Sequence, residues 1–256
     1  MNRPTPVRDR NAMIKCVTFD LDDTLWAVNP VIHAANQTLW QWLQQHAPLF
    51  TRVHQLSDLA EGSALRQALL ADMPEIAHSM SLIRLQLLER GCRAAGYSET
   101  EAHELAQQAF AVFLHARHQV EPFEHAQVAL EALRQAGYLI GALSNGNAEV
   151  DRTLIGHLFD FQYNADQVGH AKPAPQMFER ALHHTGLRPE QVVHVGDHPI
   201  NDVQAARAVG MWTVWVNLPG QHWPQPARAD RCVECLSALP TVVEELQSRA
   251  GLRATL

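Results

Sequence analysis

The sequence predicts an α/β fold: a parallel sheet covered on both faces by helices and interrupted after its first strand by an all-helical insertion. Three observations carry that prediction. A β-branched and aromatic segment at residues 14–20 reads as a strand, and about ninety residues then follow at helical spacing with no convincing strand. From residue 122 onward, short apolar strands alternate with helices, the pattern of a parallel sheet joined by right-handed crossovers.

The elements follow in order. Residues 14–20 end in a carboxylate, so the first strand runs into a polar loop. Between 31 and 118, Ile32, Ala35, Leu39, Trp42 and Leu43 recur at helical spacing, as do Met80, Ile83 and Leu87. The clearest such stripe is Ala102, Leu105, Ala106, Ala109, Phe110, Phe113 and Leu114. Past Glu121-Pro122 a helix is expected over 126–136, stopped by Gly137, and then an apolar strand over 138–143. Further strands are expected at 161–164, 192–195 and 212–216, with helices at 147–157, 174–185 and 201–209. The N-terminal arm and residues 219–226 read as loose.

Composition bounds the function. The chain has 256 residues, with 20 Lys+Arg against 27 Asp+Glu and a net charge of −7. That length suits one large domain or a core with a substantial insertion. A hydrophobic fraction of 46% excludes a disordered or collagen-like chain. No run approaches the ~20 apolar residues needed to span a bilayer, and residues 1–15 lack the apolar stretch of a signal peptide, so no membrane association and a cytoplasmic location are expected. Cys16, Cys92, Cys232 and Cys235 form no disulfide framework and are expected as thiols. An acidic balance without a Lys/Arg cluster argues against nucleic acid as partner.

In open parallel sheets the ligand crevice lies beyond the carboxyl ends of the strands. Four such ends carry polar residues. Asp20-Leu21-Asp22-Asp23-Thr24 closes the first strand, and Asp20 and Asp22 can face one crevice. Close carboxylates repel, so the cluster reads as a metal site, as an acid kept protonated by its neighbours, or as a solvated turn. Ser144-Asn145-Gly146-Asn147, placed before an expected helix, reads as an anion site or as simple capping. Lys172, held extended by Pro173, is either a surface charge or a cation offsetting the acids. Gly196-Asp197 and, five residues later, Asp202 bring two more acids to the same edge, the lesser alternative being that Asp202 merely caps the helix expected at 201–209.

Together these segments resemble the four ordered motifs of the haloacid dehalogenase-like hydrolase superfamily, phosphatase branch, and the likeness covers nearly the whole chain. The first and fourth motifs carry most of the specificity. The resemblance implies a Rossmann-like catalytic core at 1–27 and 120–256 with a helical cap at 28–119. It implies Asp20 as the nucleophile that forms an aspartyl-phosphate and Asp22 as general acid and then base. It also implies Mg²⁺ as cofactor, held by Asp20, the Asp22 carbonyl and Asp197, with Asp202 an outer ligand. Ser144 and the Asn145 amide would bind phosphoryl oxygens, Lys172 would neutralise charge on nucleophile and phosphate, and Thr24 would orient the first loop. Thr18-Phe19-Asp20-Leu21-Asp22-Asp23-Thr24-Leu25, Pro30-Val31-Ile32 and Ser144-Asn145-Gly146-Asn147 further resemble a bacterial subgroup that includes a riboflavin-pathway phosphatase acting on phosphorylated ribitylaminouracil.

The expected activity is therefore hydrolysis of a small-molecule phosphate ester. Phosphomutase chemistry, metal-independent dehalogenation and non-catalytic phosphate binding are the rivals; dehalogenating relatives generally lack an acid at the position of Asp22. Cys232-Val233-Glu234-Cys235 has no second ligand pair and is set aside as a zinc site. His183-His184 reads as surface. Trp26, Trp40 and Trp42 read as packing between cap and core, with Trp26, the nearest to the chemistry, read alternatively as lining the substrate pocket. His198 stands where the family more often has a small or acidic residue, and reads as a loop residue or a substrate-facing one.

Overall fold

The computed structural model describes residues 13–220, 222–223 and 228–251. The expectations for the N-terminal arm up to residue 12, and for residues 221 and 224–226, lie outside the described residues. The chain divides into two compact units, Met1–Ala27 with Glu121–Leu256, and Val28–Val120.

The first unit is a Rossmann-like α/β core. Its strands β1 (Cys16–Phe19), β2 (Leu139–Ser144), β3 (Phe161–Asn164), β4 (Val192–Gly196), β5 (Trp212–Val216) and β6 (Arg231–Val233) are all parallel, in the order β3-β2-β1-β4-β5-β6. Every residue of β1 and β4 is buried, which is why both lack the alternation of a one-sided sheet. β2 and β3 extend the sheet on one side of β1, and β4 to β6 on the other. That reversal opens a crevice beyond the carboxyl ends of the strands around β1.

The second unit is helical: α1 (Val28–His46), α2 (Pro48–Val53), α3 (Ala64–Asp72), α4 (Met80–Ala94) and α5 (Glu99–Arg117). The stripes expected from sequence become its interior, where Ala35, Leu39, Leu43, Ala106, Ala109 and Phe113 pack in one cluster as α5 lies against α1 and α4. Trp40 and Trp42 pack against the same cluster. Ser98 starts α5 with a capping box: its hydroxyl accepts from the Glu101 N–H at 3.3 Å and Glu101 accepts from the Ser98 N–H at 2.9 Å.

In the core, α6 (Ala126–Gln135), α7 (Ala165–Val168), α8 (Gln176–Thr185), α9 (Ala205–Ala208) and α10 (Leu239–Gly251) complete the described helices. The helix expected at 147–157 does not form; two short 3₁₀ turns, Val150–Arg152 and Gly156–Leu158, take its place. The cause is local and tertiary at once. Gln162 of β3 accepts the Val150 N–H at 2.6 Å, and the Thr153 hydroxyl donates to the Val150 carbonyl at 2.6 Å. Gly156 lies so close to residues 150 and 151 that a Cβ would overlap the Val150 carbonyl. No α-helix therefore follows β2 over 147–157 to offer its N-terminus to an anion, contrary to expectation. The helix expected at 201–209 is instead a π-helical turn, Pro199–Gln204, running into α9. Strand β6, α7 and α10 add to what the periodicity predicts.

Candidate active site

Register brings the site together. Phe19 of β1 pairs with Ala142 of β2 and Val195 of β4, so the next residues on all three strands emerge at one edge of the sheet. The Asp20 N–H still donates to the Val195 carbonyl at 2.9 Å, fixing the first residue of the loop. Asp23 then takes a left-handed backbone at φ 58°, a conformation aspartate tolerates better than most residues. Its N–H donates to the Trp26 carbonyl at 2.7 Å, so the loop folds back sharply on itself. Asp20, Asp22, Ser144, Asn145, Lys172, Asp197 and Asp202 all line one cleft of about 180 Å³ at this edge. Thr24 lies beneath it, fully buried.

Lys172 ties the strands' ends to one another. Its buried ammonium donates to Asp20 Oδ1 at 2.7 Å, Asp202 Oδ1 at 2.6 Å and the Leu143 carbonyl at 2.6 Å, which uses all three of its protons. The Asn145 side chain grips the lysine backbone from both sides. Its Oδ1 accepts the Lys172 N–H at 2.7 Å and its Nδ2 donates to the Lys172 carbonyl at 2.8 Å. Ser144 Oγ accepts the Gly146 N–H at 3.0 Å, shaping the turn after β2.

Asp202 is anchored just as fully. Its Oδ1 also accepts from His194 Nε2 at 3.2 Å, its Oδ2 accepts the His198 N–H at 2.9 Å, and the Thr18 hydroxyl lies 2.9 Å from the other ring nitrogen of His194. A Cβ at Gly196 would overlap the Asp202 carboxylate, so only glycine lets that carboxylate sit against the end of β4. Thr24 bridges the first and fourth loops: its hydroxyl accepts the Asp197 N–H at 3.0 Å and donates to Asp197 Oδ1 at 3.1 Å. His198 has a structural task, because its Nδ1 accepts the Ile200 and Asn201 N–H groups at 3.2 and 3.1 Å and caps the following turn.

The charges do not balance. Burial pushes Asp20 well above the usual carboxylate range; Lys172 opposes this, while Asp202 and Asp197 add to it. Asp197 is pushed up to about 7, by burial first and the charge of Asp202 second, against the hydrogen bond from Thr24. Burial works to raise Asp202 as well, but Lys172 and His194 outweigh it and hold it low. Burial works to lower Lys172, yet Asp20 and Asp202 raise it to about 12. One ammonium thus faces several acids. Carboxylate oxygens of Asp20, Asp197 and Asp202 lie within 4.8 Å of one another and could hold a cation; hard oxygen donors in excess of the local positive charge suit a divalent ion such as Mg²⁺.

The family model of haloacid dehalogenase-like hydrolases matches residues 14–210. The chain belongs to that family. It is 32% identical over 203 residues to 5-amino-6-(5-phospho-D-ribitylamino)uracil phosphatase YigB of Escherichia coli K12, covering 79% of this chain and 83% of that one. A phosphoserine phosphatase of Thermus thermophilus is 27% identical over 225 residues, covering 80% and 89%. Among solved structures, one described as a 2-haloacid dehalogenase from Pseudomonas syringae pv. tomato DC3000 superposes with a TM-score of 0.85 at 39% identity, covering 91% of this chain and 99% of that one.

Within this hydrolase, several residues of the site escaped sequence reasoning. The Asn145 side chain, expected only through its backbone amide, positions Lys172; His194 and Thr18, hidden in an apolar strand, position Asp202. Trp26 Nε1 donates to Asp22 Oδ1 at 2.8 Å, and Trp215 Nε1 donates to the Asp197 carbonyl at 2.7 Å. The available signal was a polar residue inside a strand otherwise fit for the core, as His194 and Thr18 are. Cys232 and Cys235 are free and exposed. His183 and His184 are exposed on α8. No helix among the described residues is long and apolar enough to cross a membrane.

Proposed function

We propose that this hydrolase is a Mg²⁺-dependent phosphomonoesterase that works through an aspartyl-phosphate on Asp20. The observation that carries the reading is the meeting, in one cleft, of a buried carboxylate held by a lysine, a second carboxylate two residues on, and a further acid at the end of β4. Asp20 attacks phosphorus while Asp22 gives a proton to the departing oxygen; Asp22 then takes a proton from the water that releases phosphate from Asp20. The Ser144 hydroxyl and the Asn145 amide receive the phosphoryl oxygens, and Lys172 offsets charge on nucleophile and phosphate. Asp20, the Asp22 carbonyl and Asp197 would hold Mg²⁺, with Asp202 supporting from behind through Lys172. When bound, the ion supplies the positive charge that lets a phosphate dianion approach these carboxylates.

The substrate class is a small sugar or nucleotide phosphate. The 32% identity to the Escherichia coli enzyme favours 5-amino-6-(5-phospho-D-ribitylamino)uracil, an intermediate of riboflavin biosynthesis, among its members. Selection of the substrate is assigned to the helical unit acting as a cap. Asp20→Asn, or EDTA, should abolish hydrolysis of p-nitrophenyl phosphate, and full activity after either change overturns the reading. A panel of metabolite phosphates ranked by kcat/KM identifies the substrate.

The 39% identity to the structure described as a 2-haloacid dehalogenase favours a second reading, carboxylate attack on a halogen-bearing carbon without metal. Asp22 counts against it, since displacement of halide needs no proton donor. Halide release from a 2-haloacid in EDTA would decide for it.

A further inference from the structure

Trp26 lies six residues beyond the nucleophile, and packing or lining the substrate pocket was its expected role. Its side chain is fully buried, yet its one polar atom is not idle: indole N–H, a donor only, points at Asp22 Oδ1 at 2.8 Å. The backbone makes that aim rigid. Asp22 and Trp26 are joined by an isolated β-bridge, Trp26 is bridged in turn to Pro122, and the Asp23 N–H donates to the Trp26 carbonyl. The left-handed backbone at Asp23 turns the chain so that Trp26, four positions after Asp22, can reach back to it.

We infer that Trp26 is a positioning residue for Asp22, holding one carboxyl oxygen as an acceptor so that the other carries the proton delivered to the leaving group. The inference rests on the phosphomonoesterase reading and deepens it. Indole N–H cannot accept a proton, so the oxygen it engages stays an acceptor in both protonation states of Asp22. In the first step the Asp20–phosphorus bond forms and the phosphorus–oxygen ester bond breaks, while the proton on the second carboxyl oxygen of Asp22 passes to the departing alkoxide. In the second step water bonds to phosphorus, the Asp20–phosphorus bond breaks, and the proton of that water returns to the same oxygen. A carboxyl free to rotate would offer that oxygen only part of the time.

Leaving-group dependence separates positioning from mere packing. An alkyl phosphate needs the proton; p-nitrophenyl phosphate, whose phenolate leaves readily, barely does. With Mg²⁺ present, Trp26→Phe should lower kcat about ten- to a hundredfold for an alkyl phosphate, with KM little changed, and less than about threefold for p-nitrophenyl phosphate, since a well-placed general acid is worth roughly 10²- to 10⁴-fold. In an Asp22→Asn background the same change should add nothing further. Should the phenylalanine variant fold poorly, benzothienylalanine at position 26 keeps the shape of indole without its N–H and should give the same split. Equal losses on both substrates, or losses that add to those of Asp22→Asn, overturn the inference and leave the phosphatase reading standing. Failure of the unaltered protein to hydrolyse either phosphate overturns both.

Discussion

Asp197, pushed up to about 7, holds below that pH a proton that a cation must displace, and burial moves Asp20 in the same direction. In the metal-free protein this shift opposes stability as pH rises: the folded state keeps a proton that an unfolded aspartate has released, so its contribution declines from about pH 4 to about pH 7. Cation binding runs the other way, because it requires the ionised carboxylates. Mg²⁺ affinity should therefore climb about tenfold per pH unit for each proton released below about pH 7 and level off above it. Calorimetric titration with Mg²⁺ between about pH 5 and about pH 9 checks this. Affinity independent of pH would mean that the ion does not bind at these carboxylates, and Asp197→Asn should remove most of the dependence. Lys172 does not confuse the profile, since its charge persists up to about 12. What was legible at this scale was each acid and the lysine, because chemistry announces itself in residue type. The roles of Asn145 and His194 were not legible, since partners 27 and 8 positions away meet only in the folded core, and that of Trp26 was not, since it depends on the left-handed turn at Asp23 that brings it back to Asp22.

Elements became legible in proportion to how far local pattern and tertiary burial agreed. Strands β3 and β5 have the bounds expected from sequence, and the stripes of α1, α4 and α5 are the ones their unit buries. β6 went unseen because it is three residues long and only Val233 is buried, so hydrophobicity had little to mark. The segment at 147–157 failed for the opposite reason: a plausible helical pattern lost to side chains of β3 and to a glycine that the fold needs for contact. Gly156 does not adopt a positive φ, so alanine suits its backbone and the penalty comes from overlap with the Val150 carbonyl alone. Gly156→Ala should destabilise the protein by about 1–3 kcal/mol, the usual cost of forcing extra volume into a packed site. Gly62, with open space around the position of a Cβ, is the control and should show no loss. Urea denaturation compares the two; equal midpoints would refute the packing account of this turn.

At the scale of the whole molecule, each unit has hydrophobic clusters of its own among the described residues. The core packs Cys16, Leu143, Met177, Phe178 and Met211 together, while the helical unit has its own clusters around Leu39 and Phe113 and around Leu69 and Ile83. The chain leaves the core after Ala27 and re-enters at Glu121, and the two crossing segments are neighbours within the core. The Phe123 N–H donates to the Leu25 carbonyl at 2.8 Å, and Trp26 is bridged to Pro122. A short Gly/Ser linker can therefore replace residues Val28–Val120 without pulling the strands apart, because closing a short loop between adjacent ends costs little. All the residues assigned to bond making and breaking lie in what remains. The shortened chain should keep the circular dichroism of a folded α/β protein and retain Mg²⁺-dependent hydrolysis of p-nitrophenyl phosphate. Its kcat/KM values across metabolite phosphates should flatten to within about tenfold, since the remaining contacts reach the phosphoryl group and little else. If the shortened protein ranks those substrates as the full chain does, selection lies in the core and the helical unit has some other task. If it folds but hydrolyses nothing, the helical unit contributes to the chemistry itself, and the division of labour between chemistry and selection fails.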